Sequence, residues 1–73
     1  MKKNEKLDGL DYRIILALAD NRMRTMDAAR TVYVDRGTIS YRADKIQRVT
    51  GLDPRDFYDL HKLVKMVKGA TDG

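Results

Sequence analysis

Apolar residues recur at helical spacing through most of this 73-residue chain, and strand-like alternation is nearly absent. The only β-branched cluster, Thr31-Val32-Tyr33-Val34, is short. Leu10, Ile14, Ala17 and Leu18 fall on one face of a first helix. Ile15 and Leu16 widen that face, so this helix is expected at the centre of the core. Asp8 is placed to cap its first turn, and Asp11 follows three residues on, as in a capping box. Asp20-Asn21 ends it, with Asn21 tolerating a left-handed backbone.

A short second helix is expected from Thr25 as N-cap through Met26 to about Val32. Its Ala28 and Ala29 let another helix approach closely. Tyr33-Val34 makes a tight connection, and Asp35 caps a third helix. There Ile39, Ala43, Ile46 and Thr50 form the inward stripe, with Gly37, Tyr41, Asp44, Lys45 and Arg48 roughly opposite. Gly51 supplies the stop, with Leu52 folding back as its apolar contact. Asp53-Pro54 reads as a restart, Asp as N-cap and Pro at the first helical position. The fourth helix then carries the stripe Phe57, Leu60, Val64 and Val67. Residues 1–7 and 69–73 are expected to be flexible ends around a domain spanning 8–68.

A chain this short buries only about 60% of the surface it exposes when unfolded, so it has little room for an enzyme pocket. It has no cysteine and a single histidine, which argues against disulfides and against thiolate or histidine metal sites. His61, with Phe57 and Lys65 as i±4 neighbours, forms no catalytic set, and Asp53, Asp56 and Asp59 read as helix-start charges. No cofactor, catalysis or small-molecule ligand is expected. No apolar run approaches the roughly 20 residues that span a bilayer. The expected location is the cytoplasm, associated with the nucleoid.

The formal net charge of +4 is localised. Between Arg22 and Arg48 stand seven basic residues against three acids, while the remainder of the chain is balanced. A basic segment suits a polyanionic partner and equally suits a merely solvated face.

Two helices joined by a short turn, the second polar and basic on its outer side, make a helix-turn-helix. The second helix of such a pair fits the major groove of B-DNA, where its N-terminal residues reach base edges. Arg36 is the favoured base reader, since Arg pairs with guanine O6 and N7. Gly37 lets the backbone approach DNA. Thr38 suits a phosphate contact or a cap with Asp35. Ser40 and Tyr41 follow on the exposed side, Tyr41 with packing over the helix pair as an equal alternative. Arg42 and Lys45 flank the face and are expected on phosphates, with Arg24 a further backbone contact.

The stretch from Ala28-Ala29 through Asp35-Arg36-Gly37-Thr38-Ile39 to Tyr41-Arg42, with Thr50-Gly51-Leu52-Asp53-Pro54 beyond it, resembles the C-terminal helix-turn-helix of PucR-type transcriptional regulators. The resemblance covers about Leu7 to Lys68. Residues 35–39 also resemble the start of the recognition helix in the nucleoid factor Fis. Fis-like proteins usually carry glycine where this chain has Tyr33, which favours the PucR type. The sequence departs from PucR-type domains at Ala43, usually a larger aliphatic residue, and at Asp44, usually basic. These 73 residues do not include the long sensory region that precedes such domains. From the start Met-Lys-Lys-Asn, a stand-alone regulator is expected rather than an excised domain.

The expectation is therefore an all-α domain of four helices, of the three-helical-bundle kind, with a helix-turn-helix at about 26–50. Its function would be sequence-specific binding of double-stranded DNA in bacterial transcriptional control. One alternative is a nucleoid or recombination accessory protein that binds and bends DNA with low specificity. The other is a helical protein-interaction module without DNA binding, which Asp35 and Asp44 on the reading helix would support. A homodimer through helices one and four is also expected, built on Tyr12, Leu16, Leu63 and Met66 as an exposed apolar patch.

Overall fold

The computed structural model describes residues 6–72. They form four helices, α1 (Gly9–Asp20), α2 (Thr25–Thr31), α3 (Arg36–Thr50) and α4 (Phe57–Asp72), with no strand among the described residues. The chain is all-α, and α1 lies at the centre of the core: it packs against each of the other helices, and α4 packs on α1 alone.

α1 starts where a carboxylate meets the free amides of the first turn. The Asp11 amide donates to Asp8 Oδ1 at 3.0 Å, and the Asp8 amide donates to Asp11 Oδ2 at 3.0 Å, which completes the capping box. It ends at Asp20-Asn21 as expected, with the left-handed residues one step later. Asn21 is not left-handed (φ −104°). Arg22 and Met23 are, at φ 57° and 66°. The Arg22 amide donates to Ala19 O and the Met23 amide to Leu18 O, the paired bonds of a Schellman ending. Asn21 instead spends its side-chain amide on Ala17 O (2.8 Å) and Thr31 Oγ1 (3.0 Å), pinning the end of α1 to the end of α2.

Thr25 is the first helical residue of α2 rather than its cap, and Arg24 holds the cap position with no side-chain bond. Ala28 and Ala29 are buried where α2 meets α1 and α3. Ile39, Ala43 and Ile46 form the buried side of α3, as their spacing requires. α3 stops at Gly51, whose φ of 78° is the left-handed value that glycine adopts without a Cβ clash.

The fourth helix departs most from expectation. It begins at Phe57, because residues 53–56 form a separate turn: Asp53 Oδ1 accepts the Arg55 amide (2.9 Å), and Asp53 O accepts the Asp56 amide (2.9 Å). Asp56 then does the capping expected of Asp53, accepting the Asp59 amide at 3.0 Å. The buried stripe is Leu60, Leu63 and Val67, while Phe57 is 66% exposed. This rotation removes the patch on which a homodimer through α1 and α4 was expected. Leu63 is fully buried, and Tyr12 and Leu16 are partly buried against the core, leaving only Met66 exposed. α4 also continues to Asp72, beyond the expected end at Lys68. Residues 1–5 of the expected flexible N-terminal segment lie outside the described residues.

Candidate nucleic-acid interface

α2 and α3 are joined by residues 32–35, and the joint is a second Schellman ending. The Tyr33 amide donates to Arg30 O at 3.3 Å and the Val34 amide to Ala29 O at 3.0 Å. The geometry places Tyr33 at φ 61° with its ring in solvent, 90% exposed. Val34, next in the chain, packs against the core. The turn is thus held by α2 carbonyls on one side and by an apolar anchor on the other, which orients α3 from its first residue.

Asp35 caps α3. Its carboxylate accepts the Thr38 amide at 2.7 Å, and hydrogen bonds from the Thr38 backbone and then its side chain hold it below the usual carboxylate range. Asp35 is therefore a structural acid, and Thr38 is half-buried beside it. The outward side of α3 presents two adjacent rows at i, i+4 spacing: Arg36 with Ser40, and Gly37 with Tyr41, all exposed. Arg36 makes no ion pair among the described residues, and Tyr41 is 67% exposed rather than packed over the helix pair.

Asp44 continues the Arg36–Ser40 row, exposed like them. Arg55 Nη2 donates to its carboxylate at 2.9 Å, while Arg55 Nε donates to Asp53 Oδ1 at 2.8 Å. The acid is offset by a cation from the α3–α4 linker.

Arg42 and Lys45 turn away from the outward rows toward the first turn of α1. Arg42 Nη1 lies 2.8 Å from Asp8 Oδ2 and 3.2 Å from Asp11 Oδ1, and Lys45 Nζ lies 2.7 Å from Asp11 Oδ2. The Arg42 hydrogen bond, followed by the Asp11 amide, lowers the Asp8 pKa from 3.8 to about 2. Asp11 is completely buried, and among the described residues no buried side-chain polar atom lacks a partner. Sequence reasoning missed this cluster. Its signal was present, since Asp11 shares the inward face with Ile15 and Leu18 at i+4 and i+7, where an apolar residue is the rule.

The structure therefore brings Arg36, Gly37, Ser40 and Tyr41 together, gives Thr38 to the cap, and gives Arg42 and Lys45 to internal carboxylates. Arg24 stands on a different element, at the start of α2, with Arg24 and Arg30 both at long range from Asp27 (4.0 and 3.9 Å) and largely exposed. A groove bounded by Ala19, Met23, Phe57, Leu60 and Val64, with Arg22 and His61 on its rim, opens between the end of α1 and the start of α4. Arg22 is the other titratable residue of this lining, and the two form no acid–base pair. Among the described residues no group of His, Cys, Asp and Glu is arranged to hold a metal ion, and no helix is long and apolar enough to cross a membrane.

The family described as the PucR C-terminal helix-turn-helix domain matches residues 10–67. No curated protein and no solved structure matches the chain.

Proposed function

We propose that this chain, which belongs to the PucR C-terminal helix-turn-helix domain family, binds double-stranded DNA in a sequence-specific manner and acts in transcriptional control. The observation that carries the reading is the exposed N-terminal half of α3, where Arg36, Gly37, Ser40 and Tyr41 face outward together. In the major groove the first turns of a recognition helix reach base edges. Arg36 has the length and fork geometry to pair with guanine O6 and N7. Gly37 removes side-chain bulk where the helix lies nearest the DNA. Ser40 and Tyr41 take base-edge or sugar-phosphate contacts, and Thr38 contributes through the Asp35 cap that fixes the first turn of α3. Arg24, with Arg22 and Arg30, supplies phosphate contacts from outside α3. A chain acting in this way works in the cytoplasm, on the nucleoid.

The protein-interaction alternative leaned on Asp35 and Asp44. With Asp35 committed to capping and Asp44 paired with Arg55, neither acid calls for a protein partner. The low-specificity reading is separated by competition. Selection from random duplex DNA at physiological salt should enrich one short motif. A pool that stays random despite binding would favour an architectural role.

A further inference from the structure

Two cations of α3 meet the Asp11 carboxylate of α1 and that of its N-cap Asp8 in one cluster, graded from the interior outward. Asp11 is buried, the side chains of Lys45 and Arg42 are 13% and 23% exposed, and that of Asp8 is 53% exposed. Every Asp11 oxygen is used: Oδ1 accepts from Arg42, and Oδ2 accepts from both Lys45 and the Asp8 amide. Such a cluster gains little stability over apolar packing, because desolvation of the charges offsets their attraction. What it supplies is direction. Charge-assisted hydrogen bonds hold distance and angle closely, whereas apolar contacts tolerate sliding. The apolar contact of α3 is also thin at its middle, where Ala43 sits between Ile39 and Ile46. Arg42 directly follows Tyr41 in the chain, so any roll of α3 that moves the Arg42 flank moves the Gly37–Tyr41 row with it.

We infer that Asp11, with Asp8, is the positioning residue that sets the orientation of α3 for base reading, and that Arg42 and Lys45 serve these carboxylates rather than DNA phosphates. This rests on the DNA-reading function proposed above. The cluster consumes two of the cations in the basic central segment, so the phosphate-neutralising charge must come from elsewhere.

The test uses the triple variant Asp11→Leu/Arg42→Met/Lys45→Met and the single variant Arg42→Lys. Each is measured for binding to the selected duplex and to random duplex over a salt series. In the DNA-free state, the α1–α3 angle is measured from residual dipolar couplings. The triple variant should fold, change the α1–α3 angle and lose at least tenfold in its preference for the selected duplex. Its salt slope on random DNA should stay within about half a unit of the wild type. Arg42→Lys keeps the charge, but its shorter side chain ends about one bond short of the point where Arg42 Nη1 meets both Asp8 and Asp11, so its preference should also fall, by severalfold, at unchanged slope. Two phosphate contacts would instead lower the slope by about two in the triple variant, at about 0.9 per phosphate, and leave Arg42→Lys near wild type. That result overturns the inference, as does an unchanged helix angle with unchanged preference. If the triple variant does not fold, the Arg42→Lys result decides. Failure of the wild-type protein to bind DNA sinks the underlying reading instead, and the angle measurement still shows whether the cluster orients α3.

Discussion

Arg55 Nη2 lies 2.9 Å from Asp44 Oδ1, so a linker residue neutralises the acid on the outward side of α3. Both groups are substantially exposed, and an exposed pair contributes at most about 1 kcal/mol to stability. Its greater effect is on charge beside the DNA. Arg55→Ala should leave the fold intact and weaken binding to all sequences alike, by severalfold, because Asp44 then faces phosphates uncompensated. Asp44→Asn should strengthen binding to all sequences and steepen the salt dependence. Binding isotherms of the two variants on random duplex check this, and equal affinities would contradict it.

Gly37 is not required by the fold. Its backbone is helical, and an added Cβ would meet only Asp35 Oδ1, at an ordinary 3.5 Å. Glycine in a helix costs roughly 0.5–1 kcal/mol relative to alanine, and less in a first turn. Gly37→Ala should therefore raise stability by a few tenths of a kcal/mol to about 1 kcal/mol. It should weaken DNA binding at the same time, since the methyl group holds the helix off the groove. Urea denaturation and DNA binding of the same sample check both halves. A variant more stable and equally tight would remove Gly37 from the interface.

Tyr33 holds a left-handed backbone with its ring in solvent. A side chain in that region costs about 1–2 kcal/mol, and glycine returns part of the gain through its freer unfolded chain. Tyr33→Gly should stabilise the domain by about 0.5–1 kcal/mol. Loss of stability in thermal unfolding would mean that the ring contributes to the fold despite its exposure.

The pH response of Asp8 follows from its lowered pKa. Its pKa falls from 3.8 to about 2 on folding, chiefly through the Arg42 hydrogen bond. A depressed folded pKa contributes stability that is fully present above the unfolded value, near pH 4, and is lost as pH falls through about 2. Asp8 is half exposed, so after screening the contribution is about 1 kcal/mol or less. Asp8→Asn, which keeps a capping residue, should be less stable than wild type at pH 5, and the difference should shrink toward pH 2. A difference constant with pH would assign the loss to something other than the Asp8 charge.

Much of the fold was legible because it depends on local chemistry. Asp8 with Asp11, Asp35 with Thr38 and Gly51 each mark a helix end by satisfying backbone groups within a few residues. The stripes of α1 and α3 follow from spacing alone. What was not legible depends on partners distant in sequence. Asp11 and Lys45 are 34 residues apart, and nothing local tells that a cation on α3 will turn inward to a buried carboxylate. The face of α4 failed for a related reason. Asp53-Pro54 carries a good helix-start signal, but Asp53 closes a local turn on the Arg55 and Asp56 amides, and α4 starts at Phe57 behind the Asp56 cap. The buried face is set by α1, on which α4 packs, and it takes Leu60, Leu63 and Val67 while leaving Phe57 outside. In the candidate site the Arg36, Gly37, Ser40 and Tyr41 positions were legible from helical phase, whereas the roles expected of Arg42 and Lys45 were not.

The central claim is that α3 reads DNA sequence with Arg36 as a base contact. The most direct measurement compares wild type and Arg36→Ala on the selected duplex, against excess random duplex, over a salt series. The account predicts a clearly negative log–log salt slope for wild type and a preference for the selected site of about a thousandfold or more. Arg36→Ala should lose about 1–3 kcal/mol, roughly 5- to 150-fold, on that site, with relaxed choice at one base position and a much smaller loss on random DNA. A flat salt slope, random DNA that competes as well as the selected site, or an Arg36→Ala loss equal on both DNAs would contradict it.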